Sequence, residues 1–283
     1  MERAVVAGVA VAVVLPVGYR RTHHRFPLVV LLHGAQGDED SWIEYGSLMS
    51  STARQPERGQ AIVVMPKMGV VTGFAADWVD GFRKDATFVG STLVRWADSH
   101  YRTLPRRSAR AIAGYSGGGL SAIHVAERFP AVFGTVGVLS GASVAGDPAS
   151  QSAAYAAFFA EQLCAGDDPA AAGVLGDPVT HAASWQAADP VRHADRLRGS
   201  TVFVSSGNGV PCDAADGANL AYPTAATEPQ IRRAATALVE ALSAAGIQHT
   251  VRKSACGLHW WTNWTPALAQ FWSVAAKRWN ASA

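Results

Sequence analysis

The stretch Ala111-Ile-Ala-Gly-Tyr-Ser-Gly-Gly-Gly-Leu-Ser-Ala-Ile123 decides how this chain is read. It sets Ser116 among four glycines, between a short apolar run and an apolar helical pattern. One reading is a Gly-rich turn with an incidental serine. The other is a sharp strand-to-helix turn that pushes Ser116 forward as a nucleophile. Gly114-Tyr115-Ser116-Gly117-Gly118 fits Gly-x-Ser-x-Gly. In that motif the serine takes a strained backbone conformation, and side chains two positions to either side would collide with the neighbouring strand and helix. A strand before and a helix after are the context the motif needs. The helix N-terminus also adds a favourable dipole beside any developing oxyanion.

Working outward, "FPLVVLLHG" and "AIVVMP" are continuous apolar runs, the pattern of strands buried on both faces. Val6 to Pro16 is apolar but too short to span a membrane, and it reads as strand rather than as a signal peptide, with "VAVAVVLPVGY" from Val9 the strand stopped by Pro16 and Gly18. Further strands are expected at Phe133–Ser140, Thr201–Gly207 and "IQHTVRK". Helices are expected between Asp85 and Tyr101, after Gly117 to Pro130, from Pro229 to Ala245 and from Pro266 to Trp279. Strands alternating with helices predict an α/β fold, a mostly parallel central sheet with helices on both faces. The region 142–195, rich in alanine, aspartate and proline, reads as a lid or insertion within a single domain spanning 1–283.

The bulk numbers exclude several classes. The chain of 283 residues is 49% hydrophobic and 16% charged, enough to build a sizeable core. A net charge of +2 and the lack of a basic stripe argue against nucleic acid. Cys164, Cys212 and Cys256 are widely spaced and odd in number, so no disulfide framework is expected, while the reading of Val6–Pro16 as a strand and not a signal peptide favours a cytoplasmic setting. The nine histidines are scattered with no HExxH, so no metal site is expected.

A serine nucleophile needs a base, and in hydrolases of this architecture the chain order is Ser, acid, His. His249 falls within the last strand; His259 follows it in a loop, where the base belongs. His124, His181 and His193 read as surface or packing residues. Asp213, Asp216 and Glu228 lie in the acid region, and position alone does not separate them. An oxyanion hole would take the N–H of Gly117 and one from His33-Gly34-Ala35, with Ala35 the candidate. His33 fits either a loop-shaping or a substrate-facing role. Trp42, Trp78, Trp260 and Trp261 are candidate pocket aromatics, although most tryptophans are simply core.

Together these landmarks resemble the putative-esterase family of α/β-hydrolases, which includes S-formylglutathione hydrolase, feruloyl esterases and mycolyltransferases. The resemblance runs through "LLHG", Asp77-Trp78, "GYSGGG", "ERFPAVFG", "LSG", "GNGVPCD" and "GLHWWTNW". It implies a triad of Ser116, Glu228 and His259, because the family's acid lies about thirty residues before the histidine; Asp213 is the runner-up. It implies a small-molecule acyl ester or thioester substrate, an acyl-enzyme intermediate and no cofactor. An acyltransferase or cyclising thioesterase would use the same triad, and a non-catalytic binding protein could share the fold. The mycolyltransferase branch resembles Leu-Leu-Asp-Gly-Leu-Arg where this chain has Leu31-Leu32-His33-Gly34-Ala35-Gln36. That departure, with the absence of that branch's cysteine pair, implies an acceptor other than trehalose, and makes His33 and Gln36 candidate substrate contacts.

Overall fold

The apolar N-terminal run turns back on itself. Ala7 and Gly8 both take positive φ, 48° and 85°, a turn whose twist matches that of a hairpin. In this computed structural model, which describes residues 1–68, 74–141, 174–176, 180–217 and 224–281, the expected strand is β2 (Val9–Val14), and a further strand that was not expected, β1 (Glu2–Val6), precedes it. Six more strands follow: β3 (Leu28–Leu32), β4 (Ile62–Pro66), β5 (Arg110–Tyr115), β6 (Thr135–Leu139), β7 (Thr201–Ser206) and β8 (Gln248–Lys253). They form one sheet in the order β1-β2-β4-β3-β5-β6-β7-β8. The hairpin is antiparallel, also to β4, and every other pairing is parallel.

The alternation of side chains along each strand builds two cores. Leu28, Val30, Leu32, Ile112, Val136 and Val202 face one side, against Leu120 and Ile123 of the helix Gly117–Arg128 and Leu238 of the helix Thr224–Ala244. Val29, Leu31, Ala111, Ala113 and Phe203 face the other, against Trp264, Phe271 and Trp272 of the helix Trp261–Ala281. Both faces of the central strands are thus covered, the arrangement of an α/β-hydrolase fold.

Two helices begin earlier than the prolines suggest. Pro229 and Pro266 lie inside helices that start at Thr224 and Trp261. Each stands at the sixth helical residue, where a missing N–H forfeits one backbone hydrogen bond. The segment between Asp85 and His100 is helical throughout, with a π-helical stretch at Phe88–Leu93. Most of the expected insertion at 142–195 lies outside the described residues; its described part carries the helix Ala182–Ala187 and the turn Ala194–Leu197. Among the described residues no helix is long and apolar enough to cross a membrane.

Candidate active site

β5 delivers Ser116 at φ 53°, ψ −127°, immediately before the helix Gly117–Arg128. That conformation is costly for a non-glycine residue and persists only when its surroundings hold it. The surroundings are close. A Cβ on Gly114 would lie 2.3 Å from the Gly118 backbone, and a Cβ on Gly118 would lie 2.3 Å from the His33 carbonyl oxygen. Both glycines of the motif are therefore dictated by packing. The Ser116 N–H is tied to the Leu139 carbonyl at the end of β6 (2.9 Å).

Ser116 Oγ lies 2.8 Å from His259 Nε2, and His259 Nδ1 lies 2.8 Å from Glu228 Oε2. Glu228 is fully buried. Its other oxygen accepts hydrogen bonds from the Ser140 hydroxyl (2.6 Å), the Gly207 N–H (2.6 Å) and Asn263 Nδ2 (3.1 Å). A fully buried carboxyl in this setting has all its hydrogen-bonding capacity taken up by protein donors, which is what makes its burial tolerable. Asp213, by contrast, is exposed and accepts the Asp216 N–H (3.0 Å), a turn-forming contact. Asp216 is buried and accepts from the Cys212 N–H (2.8 Å) and the Thr262 hydroxyl.

The loop carrying His259 is stitched to the loop after β7. The N–H groups of Asn208 and Gly209 both bond the Gly257 carbonyl (3.1 and 2.9 Å), and the Gly257 N–H bonds Val210 (2.7 Å). Cys212 and Cys256 form a disulfide across the same two loops, with Cα atoms 5.0 Å apart. This corrects the expectation that the cysteines are unpaired. Trp264 meets the His259 ring edge to face (centroids 5.0 Å, 88°) and stacks on Tyr115 (4.4 Å, 25°). Burial pushes the Tyr115 hydroxyl pKa up to about 12.

The loop after β3 passes tightly beside Ser116: a Cβ on Gly34 would lie 2.9 Å from Ser116 Cβ. His33 shapes this loop. Its Nδ1–H donates to the Gly34 carbonyl (2.7 Å) and its Nε2 accepts the Met68 N–H (2.8 Å). Both ring nitrogens are committed to backbone, and burial lowers the imidazole pKa, so His33 is a neutral internal brace and not a substrate contact. Ala35, which follows Gly34, and Gly117, which follows Ser116, are both partly exposed. Gly117 opens its helix, so its N–H has no intrahelical partner.

The tryptophan candidates separate. Trp42 is wholly buried, its indole N–H bonded to the Leu32 carbonyl (3.1 Å), and it packs against Tyr115 and Trp261; it is core, and no surface for a ligand. Trp78 is buried against Phe82 and the Arg83 guanidinium. Trp260 is partly exposed next to His259, and Gln36 is exposed with a left-handed φ of 58°. Tyr45, exposed and stacked on Trp261 (5.8 Å, 29°), adds aromatic surface with no motif to mark it. Ser140, Gly207 and Asn263, the three donors behind Glu228, each fall inside a landmark, "LSG", "GNGVPCD" and "GLHWWTNW", but nothing in those landmarks marks them as partners of the carboxyl.

Comparison with known proteins adds three findings. Residues 6–272 match the family model described as Putative esterase. Over 245 residues the chain is 29% identical to Esterase Rv1288 of Mycobacterium tuberculosis (strain ATCC 25618 / H37Rv), covering 84% of this chain and 50% of that protein. The chain thus spans about half the length of this curated relative. Among solved structures, a ferulic acid esterase superposes with a TM-score of 0.73 at 21% identity, covering 98% of this chain and 97% of that one. Mycobacterium tuberculosis MPT51 (FbpC1) gives the same TM-score and identity, with 98% of each chain covered.

Proposed function

The chain belongs to the putative esterase family, and on that premise we propose that it is a serine-dependent acyl-ester hydrolase working through an acyl-enzyme. The observation that carries this reading is the unbroken chain Ser116–His259–Glu228, with both links at 2.8 Å. Ser116 Oγ attacks the carbonyl carbon of an ester or thioester as His259 Nε2 takes its proton. The carbonyl π-electrons move onto oxygen, where the Ala35 and Gly117 N–H groups receive the charge. Such donors contribute about 3–4 kcal/mol each in comparable sites. The tetrahedral species collapses as His259 returns its proton to the departing alcohol or thiol. A water then enters, gives a proton to His259 and attacks the acyl carbon; the second tetrahedral species collapses as His259 passes that proton to the departing Ser116 Oγ, releasing the acid and restoring Ser116. Glu228 holds the imidazole in the required tautomer and stabilises its charged form in both half-reactions.

Exposed Tyr45 and partly exposed Trp260 support an aromatic or otherwise apolar group on the substrate side of the site. The Cys212–Cys256 pair weighs toward an oxidising compartment over the cytoplasmic setting expected from the strand reading of Val6–Pro16, because thiols in the cytosol are kept reduced.

The test is intact mass after exposure to an alkyl phosphonate, alongside turnover of nitrophenyl esters. Native protein takes up one phosphonyl group and hydrolyses the ester. Ser116→Ala folds, takes up none and loses essentially all turnover. Full labelling or turnover by Ser116→Ala overturns the reading.

A further inference from the structure

Behind Glu228 lies a polar chain that the reaction as written does not use. Arg252, in β8, donates from Nη1 to Asn263 Oδ1 (2.8 Å). Asn263 Nδ2 donates to Glu228 Oε1 (3.1 Å) and to Ser140 Oγ (3.2 Å). Asn263 and Ser140 are buried, Ser140 completely, and Arg252 is half-buried.

The chemistry of an amide gives this chain a direction. A carboxamide can turn over with almost no change of shape, but with an exchange of donor and acceptor. Turned over, Asn263 would set its oxygen against the Glu228 carboxyl and its NH2 against the Arg252 guanidinium, two repulsive contacts in place of two attractive ones. A guanidinium has donors only, so it can accept nothing from an amide NH2. Arg252 therefore selects the orientation in which Asn263 donates toward Glu228. Ser140 shows the same dependence. It holds φ 47°, a left-handed conformation costly for a non-glycine residue, and its hydroxyl accepts from Asn263 while donating to Glu228.

Burial lowers the pKa of Arg252, and the nearby Glu228 charge opposes that shift. A guanidinium half-withdrawn from water is a cost that a surface strand position would ordinarily avoid.

We propose that Arg252 is a positioning residue for the triad: acting through Asn263, it orients the donors that hold Glu228 Oε2 toward His259. The role in turnover rests on the triad reading above; the role in holding Glu228 does not.

The experiment compares Arg252→Met, which removes the donor, with Arg252→Lys, which keeps a charged donor, and Asn263→Ala. Each is measured for thermal stability, for kcat and KM on a short nitrophenyl ester, and for the downfield proton NMR signal of His259 Nδ1–H. Because β8 is an edge strand, the Arg252 variants are expected to fold. Arg252→Met lowers kcat about tenfold, equivalent to about 1.4 kcal/mol, with KM changed less than twofold. Its downfield signal broadens or moves upfield, and Arg252→Lys recovers most of both. In the Asn263→Ala background Arg252→Met adds no further loss, since the pathway is already cut. Wild-type kcat and an unchanged signal in Arg252→Met overturn the proposal, as do losses that multiply in the double variant. Should Arg252→Met fail to fold, Arg252→Lys and the signal in Asn263→Ala still decide: an unmoved signal in Asn263→Ala overturns the relay. If Ser116→Ala proves active, the hydrolase reading falls while the signal still reports on Arg252.

Discussion

Breaking the Cys212–Cys256 bridge should cost stability far more than it costs chemistry. The two cysteines are 44 residues apart. In the chain-entropy treatment a closed loop of that length stabilises the fold by about 4 kcal/mol at 25 °C. For a chain of this size that corresponds to a fall in Tm of roughly 7 °C. The loop carrying His259 has other ties. Gly257 remains bonded to Asn208, Gly209 and Val210, and Asp216 still joins Cys212 to Thr262. Once folded, the Cys212→Ser/Cys256→Ser variant should therefore keep His259 in place, with kcat at 25 °C lowered by less than about tenfold. The assay is thermal unfolding with and without reductant, and thiol titration of the denatured, unreduced protein. Native protein should show one titratable thiol of its three cysteines and should melt, when reduced, with the variant. A variant melting within 2 °C (roughly 1 kcal/mol) of native protein, or three titratable thiols, would refute the reasoning. Loss of all activity with full stability would show instead that the bridge positions His259 and the hydrogen bonds do not.

Two further outcomes follow from the site and the core. Glu228→Gln should cut kcat by about 10³- to 10⁴-fold, because the new NH2 must face a donor; Asp213→Asn, which still accepts the Asp216 N–H, should stay within about twofold of native. Reversal of that order would move the acid to Asp213. His124 is buried beside Phe74, and burial, ahead of the Arg128 charge, lowers its pKa to about 4. The unfolded chain binds this proton near pH 6.5 and the fold resists it, so stability is full above pH 6.5 and falls as pH drops toward 4. The total is about 3 kcal/mol. Glu127 on the same helix has its pKa raised by burial and contributes a slope of opposite sign, so the measurement is the difference between native protein and His124→Gln across pH 4–7 in denaturant melts. A difference that does not change with pH would show that His124 titrates normally in the fold.

How much of this was legible in the sequence depended on how local the determinant was. Gly114, Ser116 and Gly118 fall within five residues, between a strand and a helix, so the strained turn could be read directly. The buried strands announced themselves as apolar runs for the same reason. The hairpin at Ala7-Gly8 did not, since an alanine with positive φ leaves no mark. The helix starts before Pro229 and Pro266 were misplaced because proline is common at the first helical residue but is also tolerated a turn later. Trp42 and Trp78 could not be assigned to core or pocket by residue type, and His33 could not be turned inward or outward without the neighbouring Met68.

What remained hidden depends on register between strands distant in sequence, and register explains most of it. Tyr115 pairs with Leu139, Leu139 with Ser205, and Ser205 with Arg252. The residues at or just beyond those pairings are Ser116, Ser140, Gly207 and Arg252 itself. Parallel strands end along one edge of the sheet, which is where open α/β sheets place their sites. That edge therefore receives Ser116, two of the donors to Glu228 and the guanidinium from four separate segments, and only the first carries a motif that names a role for its residue. The next register step, Ser206 with Lys253, sends the loops after β7 and β8 out from the same edge. Cys212 lies six residues beyond one strand end and Cys256 three beyond the other, so their meeting is a consequence of that pairing. Spacing along the chain could not supply it, because two cysteines 44 residues apart acquire a common position only once β7 and β8 are neighbours. The same step brings His259 back over Ser116. The triad and the bridge are thus two results of one parallel pairing, and a change that disturbed the β7–β8 register would be expected to lose both together.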